Sequence, residues 1–369
     1  MGLKVRDILE ELEKLAPTSL AEDWDNVGLL VGSPEAEVKG IYVCLDVDLT
    51  VLREAVDQGC NVILSHHPVI YKPLRQIRYD ESQGELLSTA IEKKLHLIAA
   101  HTNYDNAVLG VSHQLALKIG LHKIQVLMPK EEKLYKLVVF VPEGHEEVVR
   151  KALGDAGAGH IGNYSHCTFA SPGTGTFLPL EGTQPFIGSR GQLEKVAEAR
   201  METIVHHGIL NRVLQAMLTA HPYEEVAYDL IPLANESQKG GLGCFGVLPE
   251  PKTLAEFAND LKEKLGVNGI KVAGEPNKPV EKIAVCGGAG KIALNRALAL
   301  GVDVLVTGEL GHHDAQFALQ HGMALIDAGH FATESVALPF LVSYLKEQLN
   351  LDSAQVVLGK SEKDLWSYV

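Results

Sequence analysis

The chain has 369 residues, of which 46% are hydrophobic and 22% charged, a globular composition that excludes a disordered or fibrous protein. Its length indicates two or three domains rather than one core. The formal net charge is −14, and no run is rich in Lys and Arg. This charge balance argues against direct nucleic-acid binding and against attraction to an anionic membrane surface.

The N-terminal third alternates helical patterns with short apolar runs. Val5, Ile8, Leu12 and Leu15 fall at amphipathic-helix spacing, and charges stand where a signal peptide needs an apolar core. No stretch approaches the roughly 18 apolar residues of a membrane span, so we expect a cytoplasmic protein. The pattern predicts strands at 41–47, 61–65 and 95–100, and helices at 50–58 and 82–94.

The central segment differs in character from both ends of the chain. It predicts, in order, a strand at 135–142, a helix at 144–156, a Gly/Pro/Thr-rich hairpin region at 171–192, a strand at 199–206, a helix at 209–222 and a strand at 224–233. The β-α-β, β-α-β order is that of a ferredoxin-like split unit. The polar, Gly-rich residues 235–243 indicate an exit linker. We therefore predict an inserted ferredoxin-like α+β domain over residues 126–245.

The C-terminal third returns to the α/β rhythm, with strands predicted at 282–288, 303–308 and 323–329. Apolar residues repeat at an offset of 242: Ile41, Val43, Cys44, Leu52, Ala55, Gly59 and Val62 correspond to Ile283, Val285, Cys286, Leu294, Ala297, Gly301 and Val304. A chance alignment of common apolar residues is the alternative. We therefore predict two related α/β halves, 1–125 and 246–369. They form one discontinuous domain with a cleft between their strand ends.

The five cysteines are widely spaced and form no CxxC pair. This pattern argues against a disulfide framework and against a thiolate zinc site. Cys44 and Cys286 stand inside apolar strand-like runs, so they are predicted to be small buried hydrophobic residues.

Three segments place His or carboxylate residues just beyond the end of a predicted strand. They are SHHP (65–68), AAHTNYDN (99–106) and DAGHFATE (327–334). In open α/β sheets, ligands collect outside the carboxyl ends of the strands. His330 and Glu334 are four residues apart, so a helix beginning near Phe331 would point both to one face.

His66, His67, Asp105, His330 and Glu334 are the predicted metal ligands. Imidazole and carboxylate together suit Zn, Fe or Mn better than Ca or Mg. Five ligands exceed what one structural zinc requires, which favours two ions sharing a bridging carboxylate, with Glu334 or Asp105 as candidates. A pair of ions about 3.5–4 Å apart can polarise a phosphoryl or carbonyl oxygen and generate a hydroxide nucleophile.

With these segments, the sequence resembles the Nif-three-like family, also described as GTP cyclohydrolase 1 type 2 homologs. The resemblance is carried, in the family's order, by WDNVGLLVG (24–32), LSHHP (64–68), HTNYDNA (101–107), TGELGHHDA (307–315) and GHFATE (329–334). It implies a dinuclear metal centre whose ligands match the five predicted residues, with zinc as the first expectation. It also implies a toroidal homohexamer whose metal sites face an internal cavity, and a PII/CutA-like central insert.

Further residues near these segments are candidates for chemistry. Glu309 could act as a general base or orient a ligand, and His101 could donate to a substrate phosphate or be structural. Asp25 and Asn26 could hydrogen-bond groups behind the ligands, although a turn-forming role is favoured. CGGAGK (286–291) lacks the phosphate-loop spacing and indicates a tight strand–helix turn. In the insert, HPYEE (221–225) and His206–His207 have no matching third segment that would complete a metal site.

Two functions of different class follow. The leading hypothesis is a metal-dependent hydrolase acting on a nucleotide or phosphoester, with cyclohydrolase chemistry included. The alternative is a metal-sensing or metal-chaperoning scaffold that recognises a small-molecule effector or a partner protein through the insert.

Overall fold

The structure is a computed structural model of the chain. It describes residues 2–130, 133–162, 164–235, 240–352, 355–361 and 363–367. It is a mixed α/β protein, as the sequence predicts, and it divides into two compact units. Unit 1 comprises residues 1–130 and 239–369, and unit 2 comprises residues 131–238.

The strands are labelled in chain order within the described ranges. They are β1 (Gly28–Val31), β2 (Ile41–Cys44), β3 (Val62–Ser65), β4 (His96–Ala99), β5 (His122–Pro129), β6 (Leu134–Pro142), β7 (Thr168–Phe177), β8 (Glu194–His206), β9 (Tyr228–Leu233), β10 (Gly241–Thr253), β11 (Lys271–Ala273), β12 (Pro279–Val285), β13 (Val304–Thr307), β14 (Ala324–Asp327) and β15 (Val356–Leu358).

The helices are labelled in the same way. They are α1 (Val5–Leu15), α2 (Leu49–Asp57), α3 (Ser82–Glu92), α4 (Thr102–Asp105), α5 (Val111–Ile119), α6 (Glu146–Asp155), α7 (Leu210–Ala220), α8 (Leu254–Leu265), α9 (Leu294–Ala299), α10 (His312–Gln320), α11 (His330–Ser335) and α12 (Leu338–Gln348). Over the part of the chain that the structure describes, no helix is both long and apolar enough to cross a membrane.

Unit 1 contains two sheets. In the first, with order β1-β4-β3-β2-β15, all neighbours pair in parallel except β1 with β4. In the second, with order β11-β14-β13-β12-β10-β5, the three central strands β12, β13 and β14 are parallel. Strands β2, β3, β4, β13 and β14 are buried throughout, because their apolar runs are covered on both faces.

The internal repeat has a counterpart in strand register. Ile41 lies opposite Val62 in the first sheet, and Ile283 lies opposite Val304 in the second. Both pairs are related by the offset of 242 residues. The same β-α-β arrangement is therefore built twice in unit 1, once in each sheet.

The structure places the join between the units differently from the predicted boundaries at 125/126 and 245/246. These boundaries fall inside β5 and β10, which pair antiparallel in one sheet, with Gly241 opposite Pro129. Because the ladder hydrogen bonds hold both strands together, they belong to unit 1 over their full length.

Unit 2 has the element order β6-α6-β7-β8-α7-β9. Its sheet has the order β7-β8-β6-β9, and all of these pairs are antiparallel. Apolar residues of α6 and α7, such as Leu153 and Met217, pack on Leu137 and Met201 of the sheet. The Gly/Pro/Thr-rich region at 171–192 was predicted as a hairpin; its first part extends β7 to Phe177, where it pairs with β8.

Candidate metal centre

The five predicted ligands lie at the carboxyl ends of strands from both sheets of unit 1. His66 and His67 follow β3 directly, and Asp105 ends the one-turn helix α4 after β4. His330 and Glu334 lie on helix α11, which follows β14. Because parallel strands end at the same edge of a sheet, each loop delivers its polar side chains to one side.

Four histidine rings in this region share one arrangement, with an oxygen atom 2.8 Å from Nδ1. The pairs are His66 with the Ala100 carbonyl, His67 with Asp46 Oδ1, His101 with Asp25 Oδ1 and His330 with Glu309 Oε1. Because these oxygens accept, Nδ1 carries the hydrogen and Nε2 of the neutral ring keeps its lone pair. Metal-binding histidines are held by this kind of partner behind the ring.

The Nε2 atoms converge on Glu334. Its Oε2 atom lies 3.1 Å from Nε2 of His67 and 3.0 Å from Nε2 of His330. The other oxygen, Oε1, faces Nε2 of His66 at 3.9 Å, and that nitrogen is also 3.6 Å from Asp105 Oδ1. Glu334 thus presents one carboxylate oxygen to each of two ligand groups.

These residues form three overlapping groups whose ligand atoms lie within 4.8 Å of one another. The groups are His66–Asp105–Glu334, His67–His330–Glu334 and His66–His67–His101. His66 Nε2 is buried and has no hydrogen-bond partner among the described residues. A buried nitrogen lone pair beside two carboxylates lacks only a cation to satisfy it. The residues therefore fit a divalent metal ion with mixed nitrogen and oxygen ligands.

The electrostatics of the cluster also favour a bound cation. Burial raises the pKa of Asp105 well above its ordinary value, and the nearby Glu334 carboxylate raises it further. Burial lowers the pKa of His66 to about 4. Burial also opposes the charge on His67, but its hydrogen bonds with Asp46 and Glu334 raise the pKa of the ring to about 10. The hydrogen bond with Glu334 raises the pKa of His330 to about 9 against the effect of burial.

Two glycines leave the space that Glu334 and His330 occupy. Gly288 has a positive φ of 59°, and a Cβ placed there would lie 2.0 Å from Glu334 Oε1. A Cβ at Gly308 would lie 2.6 Å from the Cα atom of His330. Gly288 belongs to the CGGAGK strand–helix turn. Because it has no Cβ, the Glu334 carboxylate can lie close to the backbone of this turn.

His101 and Glu309, the two candidates for chemistry, take different positions in the site. His101 joins a ligand group with His66 and His67, so its Nε2 is a further candidate ligand. Glu309 is exposed and accepts the hydrogen of His330 Nδ1. This contact fits the orienting role considered for Glu309.

Of the two roles considered for Asp25, the structure shows the one that was not favoured: its side chain hydrogen-bonds groups behind the cluster. Its oxygens contact His101 Nδ1 and accept from the Thr102 hydroxyl at 2.5 Å and the Thr102 amide at 3.0 Å. These hydrogen bonds outweigh the effect of burial and lower the pKa of Asp25 below its ordinary value. Asp25 is therefore a permanent anion that fixes the orientation of the His101 ring.

An aromatic rim lies beside the cluster and was not predicted. Trp24 is 57% exposed. Its ring centroid is 5.7 Å from that of Tyr71 and 6.2 Å from that of His101. Asn26 donates to the Ile70 carbonyl at 2.6 Å, which ties the Trp24 turn to the loop carrying Tyr71. The signal in the sequence was the Trp-Asp-Asn turn itself.

The remaining histidine pairs stay outside these groups. His312 and His313 are exposed and contact each other, with ring centroids 5.4 Å apart. In unit 2, His221 Nε2 faces the Phe140 carbonyl at 3.0 Å. Across the described ranges, neither His206 nor His207 joins a group that could hold a metal.

Comparison with known protein families identifies the family of this chain. The chain matches the family described as Duf34/NIF3 (NGG1p interacting factor 3) over residues 3–364. The chain belongs to the Duf34/NIF3 family. The family predicted from the sequence motifs is thereby confirmed.

Curated relatives of this Duf34/NIF3 protein carry the name GTP cyclohydrolase 1 type 2 homolog. One, from Halalkalibacterium halodurans, is 47% identical over 324 residues, covering 88% of this chain and 87% of the relative. Another, from Bacillus subtilis, is 42% identical over 328 residues, covering 89% and 88% respectively.

Solved structures agree with the fold. A Bacillus cereus protein related to NIF3 superposes with a TM-score of 0.75 at 41% identity, covering 100% of both chains. A Staphylococcus aureus protein superposes with a TM-score of 0.74 at 31% identity, covering 100% of this chain and 99% of the other.

Proposed function

We propose that this Duf34/NIF3 protein is a dinuclear metal-dependent hydrolase acting on a nucleotide or phosphoester. The proposal rests on the position of Glu334, whose two carboxylate oxygens face two separate ligand groups. His66, Asp105 and Glu334 would hold one ion and His67, His330 and Glu334 the other, with His101 as a further ligand beside His66 and His67. Zinc is the expected metal, with iron and manganese as alternatives.

Two bound ions would supply an activated water and a polarised substrate oxygen. The protein's own residues prepare that site. Asp46, Asp25 and Glu309 hold three rings with Nε2 facing inwards. The Trp24–Tyr71 rim offers ring faces for a flat base, and Lys72 and Arg75 on the same exposed loop offer charge for a phosphate.

The test uses the full-length protein, stripped with a chelator and reloaded separately with Zn²⁺, Mn²⁺ or Fe²⁺. We expect release of phosphate, or of a cyclohydrolase product, from at least one compound in a panel of nucleotides and phosphoesters. The metal content, measured in parallel, should be about two ions per chain. Turnover that is equal in the stripped and reloaded protein would exclude the metal centre from the reaction.

Metal binding should release protons. Because the pKa values of His67 and His330 lie above 7 without metal, both rings are protonated at about pH 7, and a metal must displace those protons. We expect two or more protons released per chain on full loading at about pH 7, because the raised pKa of Asp105 adds to the protons held by the two rings, and tighter binding as the pH rises. Titration calorimetry in buffers of different ionisation enthalpy measures this number. Uptake of protons, or none exchanged, contradicts the assignment.

Trp24→Ala should weaken substrate binding without affecting metal binding. Stacking of a base on an aromatic ring contributes about 1–3 kcal/mol, so we expect KM for the nucleotide substrate to rise about tenfold while kcat and metal content change little. Tyr79→Ala removes an exposed ring from the loop that carries Tyr71 and serves as the matched control. An equal rise in KM for a sugar phosphate without a base would show that Trp24 does not act by stacking.

The same proposal includes the assembly and the insert. A toroidal homohexamer is expected, and light scattering coupled to size-exclusion chromatography should return about six times the 39.9 kDa chain mass. The strand order of unit 2 supports a ferredoxin-like domain of the PII/CutA type.

A second candidate role, a metal-sensing or metal-chaperoning scaffold, is favoured by a cavity of about 530 Å³ in unit 2, lined by residues that include Phe177, Glu198 and Tyr223. In that case an effector should change the rate of metal release while the compound panel shows no turnover.

A further inference from the structure

Unit 2 contains a cavity of about 530 Å³ that is separate from the metal-ligand residues. This volume is within the range of pockets that enclose small molecules. Edge strand β7 forms one wall, β8 forms the floor, and the loop at 178–187 and the turn at 222–225 complete the lining.

Three aromatic rings meet in the lining. The Tyr223 ring centroid is 5.9 Å from that of Phe177 and 6.3 Å from that of Phe186, at interplanar angles of 60° and 51°. Phe186 is 54% exposed, so part of its ring is free to contact a ligand. Tilted rings around one space suit a compact ligand with an apolar, flat body.

The polar groups of the cavity carry an excess of negative charge. Glu198, Glu224 and Glu225 line it. Among the lining residues that the structure describes, Arg200 is the one cation, and it pairs with Glu202. Glu198 Oε1 accepts from the Tyr223 hydroxyl at 3.0 Å.

A glycine makes room for the Glu198 carboxylate. A Cβ placed at Gly175 on the neighbouring strand would lie 2.0 Å from Glu198 Oε2. At Gly173, two residues earlier, the nearest atom to such a Cβ is the Glu198 carbonyl oxygen at 3.8 Å, an ordinary contact. An added Cβ would therefore displace the Glu198 carboxylate at position 175 but not at position 173.

The loop over the cavity is held by its own hydrogen bonds. The Gln184 amide donates to Glu224 Oε1 at 2.9 Å. Arg190 Nε donates to the Thr183 carbonyl at 2.7 Å, and the Gly191 amide donates to the Pro179 carbonyl at 2.9 Å. Because these contacts need no ligand, the cavity is formed in advance and binding costs little ordering of the chain.

We propose that this cavity binds a small organic cation with a flat apolar body. Its protonated nitrogen donates to Glu198, and its body packs against Phe177, Phe186 and Tyr223. A charge-assisted hydrogen bond and the ring faces both favour a cation over a neutral or anionic molecule of the same shape. The inference deepens the effector-binding role proposed for unit 2, and none of its residues belongs to the metal centre.

The test compares three probes that share a phenyl ring: benzylamine, benzyl alcohol and benzoate. Binding to the full-length protein is measured by ligand-observed NMR and titration calorimetry. Benzylamine should bind at least about tenfold more tightly than benzyl alcohol, and benzoate more weakly than both. Equal affinities for the three probes, or no binding of benzylamine, would overturn the proposal.

Variants locate the site. Glu198→Gln keeps the shape of the side chain and should remove the preference for benzylamine, and Gly175→Ala should reduce its affinity about tenfold or more. Phe169→Ala, which removes an exposed ring from the same strand outside the cavity lining, is the control and should bind within about threefold of the parent. An unchanged preference in Glu198→Gln also overturns the proposal. Metal content and turnover, followed in the same variants, should stay constant, so failure of the hydrolase proposal and failure of this one give different results.

Discussion

Glu334→Gln should remove both ions from the purified protein and abolish metal-dependent turnover. Glu334 is 5% exposed, and its two oxygens face His66 on one side and His67 with His330 on the other. The amide keeps the volume of the side chain but loses its charge, so neither ligand group keeps its shared anion. We expect at least about a hundredfold loss of metal affinity, more than the 10–100-fold typical of residues behind the ligands.

The graded control is Glu309→Gln, which neutralises the carboxylate that accepts from Nδ1 at the back of the His330 ring. It should weaken metal binding about tenfold while leaving both ions bound at high metal concentration. Metal analysis after dialysis, together with turnover measured against free metal concentration, separates the two variants. If Glu334→Gln retains two ions per chain, the shared carboxylate is the wrong interpretation.

Most of the candidate site follows from one rule applied to the sequence. Polar residues just beyond buried parallel strands gather at one edge, which predicted His66, His67, Asp105, His330 and Glu334 as neighbours. For His101, at the start of the Asp105 segment, the sequence leaves a phosphate-donor role and a structural role open. His101 precedes Asp105 by four residues, the same spacing as His330 and Glu334, and this signal could have added it to the candidate ligands.

The partners behind the histidines could not be assigned with the same rule. Asp25 and His101 are 76 residues apart, and Asp46 and His67 are 21 apart. Such contacts depend on how loops close over the sheet edge, and periodicity carries no information about that. The predicted domain boundaries failed to follow β5 and β10 for a similar reason, since the pairing of two distant strands sets them.

The sequence alone does not predict the cavity of unit 2. Gly175 and Glu198 meet only because β7 and β8 pair in a register that sets Gly173 opposite Glu198 and Gly175 opposite Val196. The Gly/Pro/Thr-rich composition of 171–192 predicts a hairpin, but it does not carry the register in which β7 pairs with β8.

Gly288→Ala should remove the metal site through a single methyl group. The new Cβ would lie 2.0 Å from Glu334 Oε1 and 3.4 Å from His330 Cε1. The backbone cannot move aside easily, because the Gly288 amide donates to Thr333 Oγ1 at 3.1 Å and its carbonyl accepts from the Gly308 amide at 2.8 Å. Glu334 must therefore leave its position, and we expect metal affinity to fall about as far as in Glu334→Gln.

Gly301→Ala separates this clash from the cost of the backbone conformation. Gly301 has a φ of 65°, close to the 59° of Gly288, but an added Cβ would have nothing within 4 Å. Both alanines should lower the free energy of unfolding by about 1–2 kcal/mol for the left-handed conformation. Only Gly288→Ala should lose metal and add a further destabilisation from the displaced carboxylate. Urea unfolding of the metal-free proteins and metal analysis of the loaded proteins measure the two effects independently. Because the two positions share the same backbone strain, equal metal content in both variants would show that Glu334 can bind a cation from a different position.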